Sequence, residues 1–217
     1  MSSATSTRQP PPGGLLRLSG VNWRMYSRLL RAFAERPGIR LTYDRGELEI
    51  MSPLLEHDDS GRFLGVLVFV LTEELDLPLK HGGSTTLRRR LKKRGIEADE
   101  CYWIANARLM SGKRRLDLRT DPPPDLAIEV DVTNSSLDRM GIYAAIKVPE
   151  VWRLQGNSLT FYVLGPNGKY VVSPTSRAFP FVTPADLLGF LRQARKSGDE
   201  NVVVRKFRAW VRRTKPK

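Results

Sequence analysis

Hydrophobic positions recur at intervals of three and four residues in several stretches of the chain, a spacing that predicts helices. The first stretch, 22–38, ends at a Pro-Gly pair that cannot continue a helix. The second, 57–76, is apolar on almost every side, so it should be largely buried. A shorter helix is predicted over 137–146. Two closing helices are predicted over 183–198 and 200–213, the former starting with a Thr-Pro pair.

Alternating apolar and polar positions predict β-structure between these helices. One hairpin is predicted over 39–52, around the turn sequence DRG, and another over 150–165, around GN. Single strands are predicted over 77–89, 98–107 and 125–132. The last of these is almost continuously apolar apart from its acids, which favours a central position in a sheet.

The order helix, three strands, helix, strand predicts a mixed α/β fold in a single domain. An N-terminal helix and hairpin precede this core, and C-terminal helices follow it. Residues 1–14 are rich in Pro, Gly, Ser and Thr and are predicted to form a disordered tail. The domain is expected over 15–195, and a basic C-terminal helix or tail over 196–217.

The charge of the chain adds an expected partner to this fold. The formal net charge is +13 and the pI is near 10.3, a balance that favours nucleic acid, with an anionic membrane surface as the competitor. The single Cys101 excludes an internal disulfide framework and fits a reducing compartment. The N-terminus lacks the apolar segment of a signal peptide, and the longest apolar run, 63–71, is too short to span a membrane. We therefore expect a cytoplasmic protein without a membrane segment.

Basic residues are concentrated in the run 88–94, in the loop segment 113–115 and in the tail 205–217, whereas acids gather in 44–59, around 97–100 and in 125–138. A metal-dependent nuclease needs this division, because cations hold the phosphate backbone and carboxylates hold the divalent ion. The plainer interpretation is that each basic run is a solvated surface. The residues predicted to bind nucleic acid are Arg88, Arg89, Arg90, Lys92, Lys93, Arg212 and Arg213.

The strand predicted over 125–132 carries carboxylates at Asp125, Glu129 and Asp131, which alternation places on one face. Asp125 and Glu129 would lie roughly 13 Å apart along the strand, too far to share a metal ion. Asp125 is therefore expected to begin the strand or to cap the preceding turn. Glu129 and Asp131, separated by roughly 6.6 Å, could converge on one site.

A partner for Glu129 is expected from the neighbouring strand, where Asp99 is the best-placed carboxylate. An unpaired acid in an apolar strand is costly to bury, and a bound divalent cation removes that cost. The alternative is purely structural, with Glu129 paired to Arg139. Against it stands the surplus of acid that Asp99, Glu129 and Asp131 would create together.

The chain resembles the Uma family of restriction endonucleases, a branch of the PD-(D/E)XK nuclease superfamily. The resemblance covers residues 20–195. Five segments carry it in the family's order: "GELEIMSP…EH", "GSTTLRR", "GIEADECYWI", "PPPDLAIEVDVTNSSLDR" and "IYAAIKVPEVWRL".

The resemblance implies a restriction-endonuclease-like core of helix, three-stranded meander, helix and strand. It also implies phosphodiester cleavage that depends on Mg²⁺ or Mn²⁺. Asp99 and Glu129 match the family's metal ligands, and Asp131 is a further candidate ligand. Glu49 and His57 match recurring family positions near the start of the long helix, and both are candidate site residues.

Two departures from the superfamily pattern concern catalysis. Ala98 stands where the superfamily has a proline, and Asp131 stands where it has a lysine. The family's basic residue lies at the start of the next helix, four positions before Tyr143, and here that residue is Arg139. Arginine stays protonated and cannot act as a base, but it can stabilise charge in a phosphoryl transition state.

The favoured hypothesis is therefore an endonuclease that hydrolyses phosphodiester bonds of DNA with Mg²⁺ or Mn²⁺. The alternative, indicated by Asp131 in place of lysine, is a catalytically inactive, nuclease-derived DNA-binding module. A third hypothesis is a protein whose basic tail binds an acidic protein or a membrane. The chain has no P-loop, so no nucleotide cofactor is expected, and homodimerisation is left open.

Overall fold

The computed structural model describes residues 14–34, 36, 38–52, 55–131 and 135–216, except for the side chains of 55–58. The predicted disordered tail, 1–14, lies outside the described residues apart from Gly14. The elements in chain order are β1 (Leu15–Leu18), α1 (Trp23–Ala32), β2 (Arg40–Asp44), β3 (Glu47–Met51), α2 (Leu55–Glu74), β4 (Lys80–His81), β5 (Thr86–Arg89), β6 (Arg94–Glu97), β7 (Glu100–Trp103), β8 (Leu126–Val130), α3 (Arg139–Ile146), β9 (Glu150–Gln155), β10 (Ser158–Leu164), β11 (Tyr170–Ser173), α4 (Pro184–Lys196) and α5 (Glu200–Thr214).

The strands form two sheets. The first is antiparallel with strand order β1-β3-β2-β6-β5, and the second has the order β11-β10-β9-β8-β7-β4. In the second sheet only the β8–β9 pair is parallel, since α3 carries the chain back to the same end between them. The mixed α/β fold predicted from the sequence is confirmed.

The core predicted from the resemblance is also present. Helix α2 is followed by the antiparallel strands β4, β7 and β8, then by α3 and the parallel strand β9. The β5–β6 hairpin is inserted between β4 and β7 and belongs to the first sheet. This insertion brings the first sheet beside the centre of the second.

Strand β8 is buried on both faces, as its apolar sequence predicts. Leu126, Ile128 and Val130 face α2, α4 and α5, whereas Ala127 packs with Tyr143 of α3 on the opposite face. Alternation places the side chain of residue 129 on the α3 face as well. The helices on both sides therefore enclose any polar group that β8 carries.

The strand predicted over 77–89 is instead two short strands separated by a turn. Gly82 lies so close to β7 that an added Cβ would come 2.6 Å from Cys101 Sγ, and Gly83 has a φ of +57°. Both positions favour glycine, so the pair breaks the strand and sends β5 into the other sheet. The strand predicted over 98–107 is likewise shorter, because a 3₁₀ helix occupies Ala107–Met110. Strands β1 and β6 had no predicted counterpart.

The two closing helices are confirmed. Helix α4 begins with a capping box in which the Thr183 hydroxyl accepts from Asp186 N at 3.2 Å and Asp186 Oδ2 accepts from Thr183 N at 2.9 Å. Helix α5 packs its apolar face, including Phe207 and Val211, against the core beside α2. None of the described helices combines the length and apolar character needed to cross a bilayer.

Arginines of α5 bind the C-terminal end of α2. Glu74 accepts hydrogen bonds from Arg208 Nη1 at 2.8 Å and from Arg212 Nε at 2.8 Å. These hydrogen bonds lower the pKa of Glu74 to about 2. Arg212, predicted to bind nucleic acid, thus has a structural contact within the chain.

The contacts of Glu74 with the α5 arginines make the stability of the fold depend on pH. Because the pKa of Glu74 is lower in the folded chain than in the unfolded chain, its contribution is complete above about pH 4.5 and is lost as the pH falls towards 2. We expect Glu74→Gln to lower the Tm by a few degrees at neutral pH and by progressively less below pH 4.5. Thermal unfolding followed by circular dichroism at several pH values measures this difference. The control is Glu73→Gln, whose more exposed carboxylate accepts from Arg208 Nη2 at 2.9 Å and whose loss should lower the Tm by less. An equal, pH-independent loss in both variants would contradict the assignment.

Candidate active site

Glu129 lies in the middle of β8 with its side chain only 1% exposed. One carboxylate oxygen, Oε1, forms an ion pair with Nη2 of Arg139. The other, Oε2, accepts a hydrogen bond of 2.6 Å from the hydroxyl of Tyr143. Burial raises the pKa of Glu129 to about 7, although Arg139 opposes the shift, and the negative charge of Asp99 adds to it.

Arg139 is the first residue of α3 and is also buried. The Asp138 side chain caps this helix by accepting from Gly141 N at 2.8 Å, which fixes where the first turn begins. Arg139 Nη1 donates to Thr42 Oγ1 on β2 at 3.3 Å. Its Nε is buried and has no hydrogen-bond acceptor among the described residues. Burial lowers the pKa of Arg139, but the charge of Glu129 raises it above its ordinary value.

Asp99 lies beside Glu129 at the start of β7. Glu100 pairs with Ile128 in the antiparallel ladder, so the preceding residue, Asp99, comes next to Glu129. Asp99 Oδ2 accepts from Val130 N at 2.7 Å, and Oδ1 lies 3.1 Å from Arg40 Nη1 on β2. The structure thus brings together two of the three predicted metal ligands.

The third, Asp131, contacts β9 instead. Its Oδ2 accepts from Arg153 Nη2 at 2.5 Å and from Gln155 Nε2 at 2.7 Å. Within the described part of the chain, no group of three or more His, Cys, Asp or Glu side chains is arranged to hold a metal ion. Asp99 and Glu129 therefore stand as a pair of carboxylates, with Asp131 beside them.

Glu49 on β3 connects the first sheet to the segment that precedes α3. Its carboxylate accepts from Ser135 Oγ at 2.7 Å and from Ser136 N at 2.8 Å, and Arg17 Nε lies 3.3 Å away. Burial alone would raise the pKa of Glu49, but the hydrogen bonds from the two serines lower it below its ordinary value. The contacts describe a residue that fixes a loop. The side chain of His57 lies outside the described residues.

Asp125 behaves as the strand-capping residue expected from the sequence. Its Oδ2 accepts from Ile104 N at 2.7 Å and from Asn106 N at 3.0 Å, and Oδ1 accepts from Asn106 Nδ2 at 2.7 Å. These bonds tie the turn after β7 to the start of β8. They agree with the prediction that Asp125 begins the strand or caps the preceding turn.

Each of the four site carboxylates whose side chains are described has an arginine beside it. The pairs are Arg17 with Glu49, Arg40 with Asp99, Arg139 with Glu129 and Arg153 with Asp131. The alternative in which Glu129 pairs with Arg139 is therefore present in the structure. The expected excess of negative charge, which argued against this pairing, is wrong, because arginines of β2 and β9 neutralise the other two acids. Sequence reasoning counted the acids of the site but not the arginines brought from other strands.

A divalent ion fits the donor chemistry of Asp99 and Glu129, since Mg²⁺ commonly uses one or two carboxylates and completes its shell with water. The pKa of Glu129 also bears on the fit. It stays raised, to about 7, even with Arg139 in contact, so burial and neighbouring acids outweigh the arginine. Additional positive charge at this carboxylate would therefore stabilise its ionised form.

The predicted nucleic-acid ligands fall into two regions. The run beginning at Arg88 forms the end of β5, the turn and the start of β6, and four of its cations are exposed: Arg88, Arg90, Lys92 and Lys93. Arg89 is half-buried. Arg213 is exposed at the end of α5, far along the chain from that turn. The two regions belong to different layers of the fold.

Sequence reasoning missed three residues of the site. Tyr143 could have been found, because it lies four residues after Arg139 and therefore on the same face of α3. Thr42 and Arg40 carried no such signal. They reach the site from β2, which only the packing of the first sheet against the second brings near β8.

Comparison with known proteins gives a family match. The Uma2 family model, described as "Putative restriction endonuclease", matches residues 23–194. None of the curated proteins matches the chain. Among solved structures, a "putative nuclease belonging to DUF820 from Anabaena variabilis ATCC 29413" is similar, with 14% sequence identity and a TM-score of 0.49. That similarity covers 70% of this chain and 90% of the other.

Proposed function

The chain belongs to the Uma2 family, and on that premise we propose that it is an endonuclease that hydrolyses phosphodiester bonds of DNA with Mg²⁺ or Mn²⁺. One observation carries the proposal. Asp99 and Glu129 are adjacent on neighbouring strands of the helix–meander–helix–strand core, and Glu129 is an acid whose environment favours added positive charge. Restriction-endonuclease-like families generally use divalent metals, which agrees with this donor pair.

Asp99 and Glu129 would hold the metal ion. When bound, the ion lowers the pKa of a water ligand and polarises the scissile phosphate. Arg139 would stabilise the charge that develops on the phosphate oxygens, and its buried Nε, which has no acceptor among the described residues, is the N–H that could donate to them. Tyr143 positions Glu129 by donating to Oε2, so that Oε1 faces Arg139.

The test combines calorimetry with Mn²⁺ and a plasmid-nicking assay in the same buffer. We expect the wild type to bind Mn²⁺ and nick plasmid, and Asp99→Asn to bind Mn²⁺ about 10–100-fold more weakly and to lose nicking. The control is Glu73→Gln, at the other end of α2, which should behave as wild type. If Asp131→Asn loses as much metal affinity as Asp99→Asn, Asp131 is a third ligand. A wild type that binds no Mn²⁺ would overturn the proposal.

A second candidate function is DNA binding without cleavage. It is favoured by the ion pair between Arg139 and Glu129, since an arginine that neutralises a metal ligand also competes with the metal. This candidate predicts DNA binding by the wild type with no nicking in either Mg²⁺ or Mn²⁺. Nicking that disappears in Asp99→Asn would exclude it.

A further inference from the structure

Helices α1 and α2 and strands β2, β5 and β6 surround a cavity of ≈ 770 Å³. Cavities of about 300–1,000 Å³ are typical of sites for small organic groups. Among the described residues that line the cavity are six arginines: Arg31, Arg36, Arg40, Arg62, Arg88 and Arg115. We refer to it as the arginine cavity.

The described lining of the arginine cavity contains a single acid, Glu97. Glu97 Oε1 accepts from Thr86 Oγ1 at 3.0 Å, and Oε2 accepts from Leu41 N at 3.3 Å. With six arginines and one acid, the described lining has more cationic than anionic side chains, and the planar forks of arginine match the oxygens of phosphate groups.

The cavity reaches the candidate active site at two points. Arg40 lines the cavity, and its Nη1 lies 3.1 Å from Asp99 Oδ1. Arg62 lines it from α2, and the preceding residue, Gly61, is so close to Asp99 that an added Cβ would lie 3.9 Å from the Asp99 Cβ. A phosphate chain held by the arginines would thus lead to Asp99.

The uncharged part of the lining suits a nucleotide better than an isolated ion. Phe33 and Leu116 supply apolar surface, and the Arg36 guanidinium lies 5.8 Å from the centre of the Phe33 ring. Ser84 and Thr85 add hydroxyl groups. Phosphate, sugar and base each find complementary groups in such a lining. A duplex, whose major groove alone is about 12 Å wide, is too bulky to be enclosed in a cavity of ≈ 770 Å³.

We propose that the arginine cavity binds the sugar–phosphate backbone of an unpaired DNA strand beside the scissile bond. This assignment rests on the proposed function, because the strand is taken to be the nuclease's substrate. It specifies the substrate class, namely single-stranded DNA or duplex DNA with an unpaired segment. It also makes the arginine cavity, and not the C-terminal tail, the main DNA-binding region.

The test measures fluorescence anisotropy of a labelled single-stranded oligonucleotide in EDTA, over a series of salt concentrations. The cavity variant is Arg62→Gln, Arg88→Gln and Arg115→Gln combined, three arginines with exposed side chains. The charge-matched control combines Lys196→Gln, Arg205→Gln and Lys206→Gln, three exposed cations of α4 and α5. We expect the cavity variant to bind about tenfold more weakly, with a salt dependence about 2 units shallower in log–log slope, and the control to change little. Thermal unfolding verifies that both variants fold.

Equal weakening in the two variants would overturn the proposal, since binding would then follow net charge alone. If the cavity variant weakens the binding of duplex DNA as much as it weakens the binding of single-stranded DNA, the preference for an unpaired strand would be overturned. Inorganic phosphate could bind the same arginines as the phosphates of DNA, so it is tested as a competitor. If it displaces the oligonucleotide at low concentration, the cavity is a site for free phosphate and the proposal fails. Because no metal or cleavage is involved, a wild type that never nicks DNA leaves this result intact, and the two proposals fail separately.

Discussion

Glu129→Ala is expected to lower the free energy of unfolding by about 3–5 kcal/mol, because it leaves the Arg139 guanidinium buried without its partner. The same change removes the acceptor of the Tyr143 hydroxyl, which is fully buried. Urea unfolding followed by circular dichroism measures the loss. A loss of several kcal/mol in the free energy of unfolding is expected only where both members of an ion pair are buried.

Two further variants separate the ion pair from general disruption of β8. Asp131→Ala, which removes a partly exposed carboxylate just after the end of β8, should cost only about 1 kcal/mol. The double replacement of Glu129 and Arg139 by methionine should recover most of the stability, since it removes both charges and retains volume. A double variant as unstable as Glu129→Ala would show that the charge left on Arg139 is not the cause.

Arg139→Met is expected to reduce nicking by at least about 10³-fold, the range measured for arginines that neutralise charge in phosphoryl transfer. Its Nε is buried and lacks an acceptor among the described residues, which leaves this N–H able to donate to a phosphate oxygen. Single-turnover nicking with saturating enzyme measures this step apart from DNA affinity. Anisotropy on the same substrate should change little.

Arg139→Lys provides the control for charge. Lysine keeps the positive charge but loses the fork that contacts both Thr42 and Glu129, so it should retain part of the activity that methionine loses. Nicking by Arg139→Met at the wild-type rate would exclude Arg139 from the reaction. A rise in nicking in Arg139→Lys above wild type would instead indicate that arginine suppresses cleavage in this chain.

Patterns within single elements were sufficient to predict much of the fold. The alternation of 39–52 and 150–165 predicted hairpins that are present, and the apolar run before Asp131 predicted a strand covered on both faces. The break at Gly82 was not predictable in the same way. Its cause is the close approach of β7, a strand that follows later in the chain.

The sequence alone predicted most of the helices and strands in order, the carboxylates of the candidate site and the basic residue at the start of α3, because each depends on neighbours within a few positions. Only the tertiary structure decided how those carboxylates are neutralised. Arg40 and Arg153 come from other strands, and Asp131 turned towards β9 although alternation placed it with Glu129. The arginine cavity likewise exists only where the first sheet meets α1, α2 and the loop that follows β7. Contacts between segments that are distant in the sequence depend on how the elements pack, and the periodicity of the sequence does not predict them.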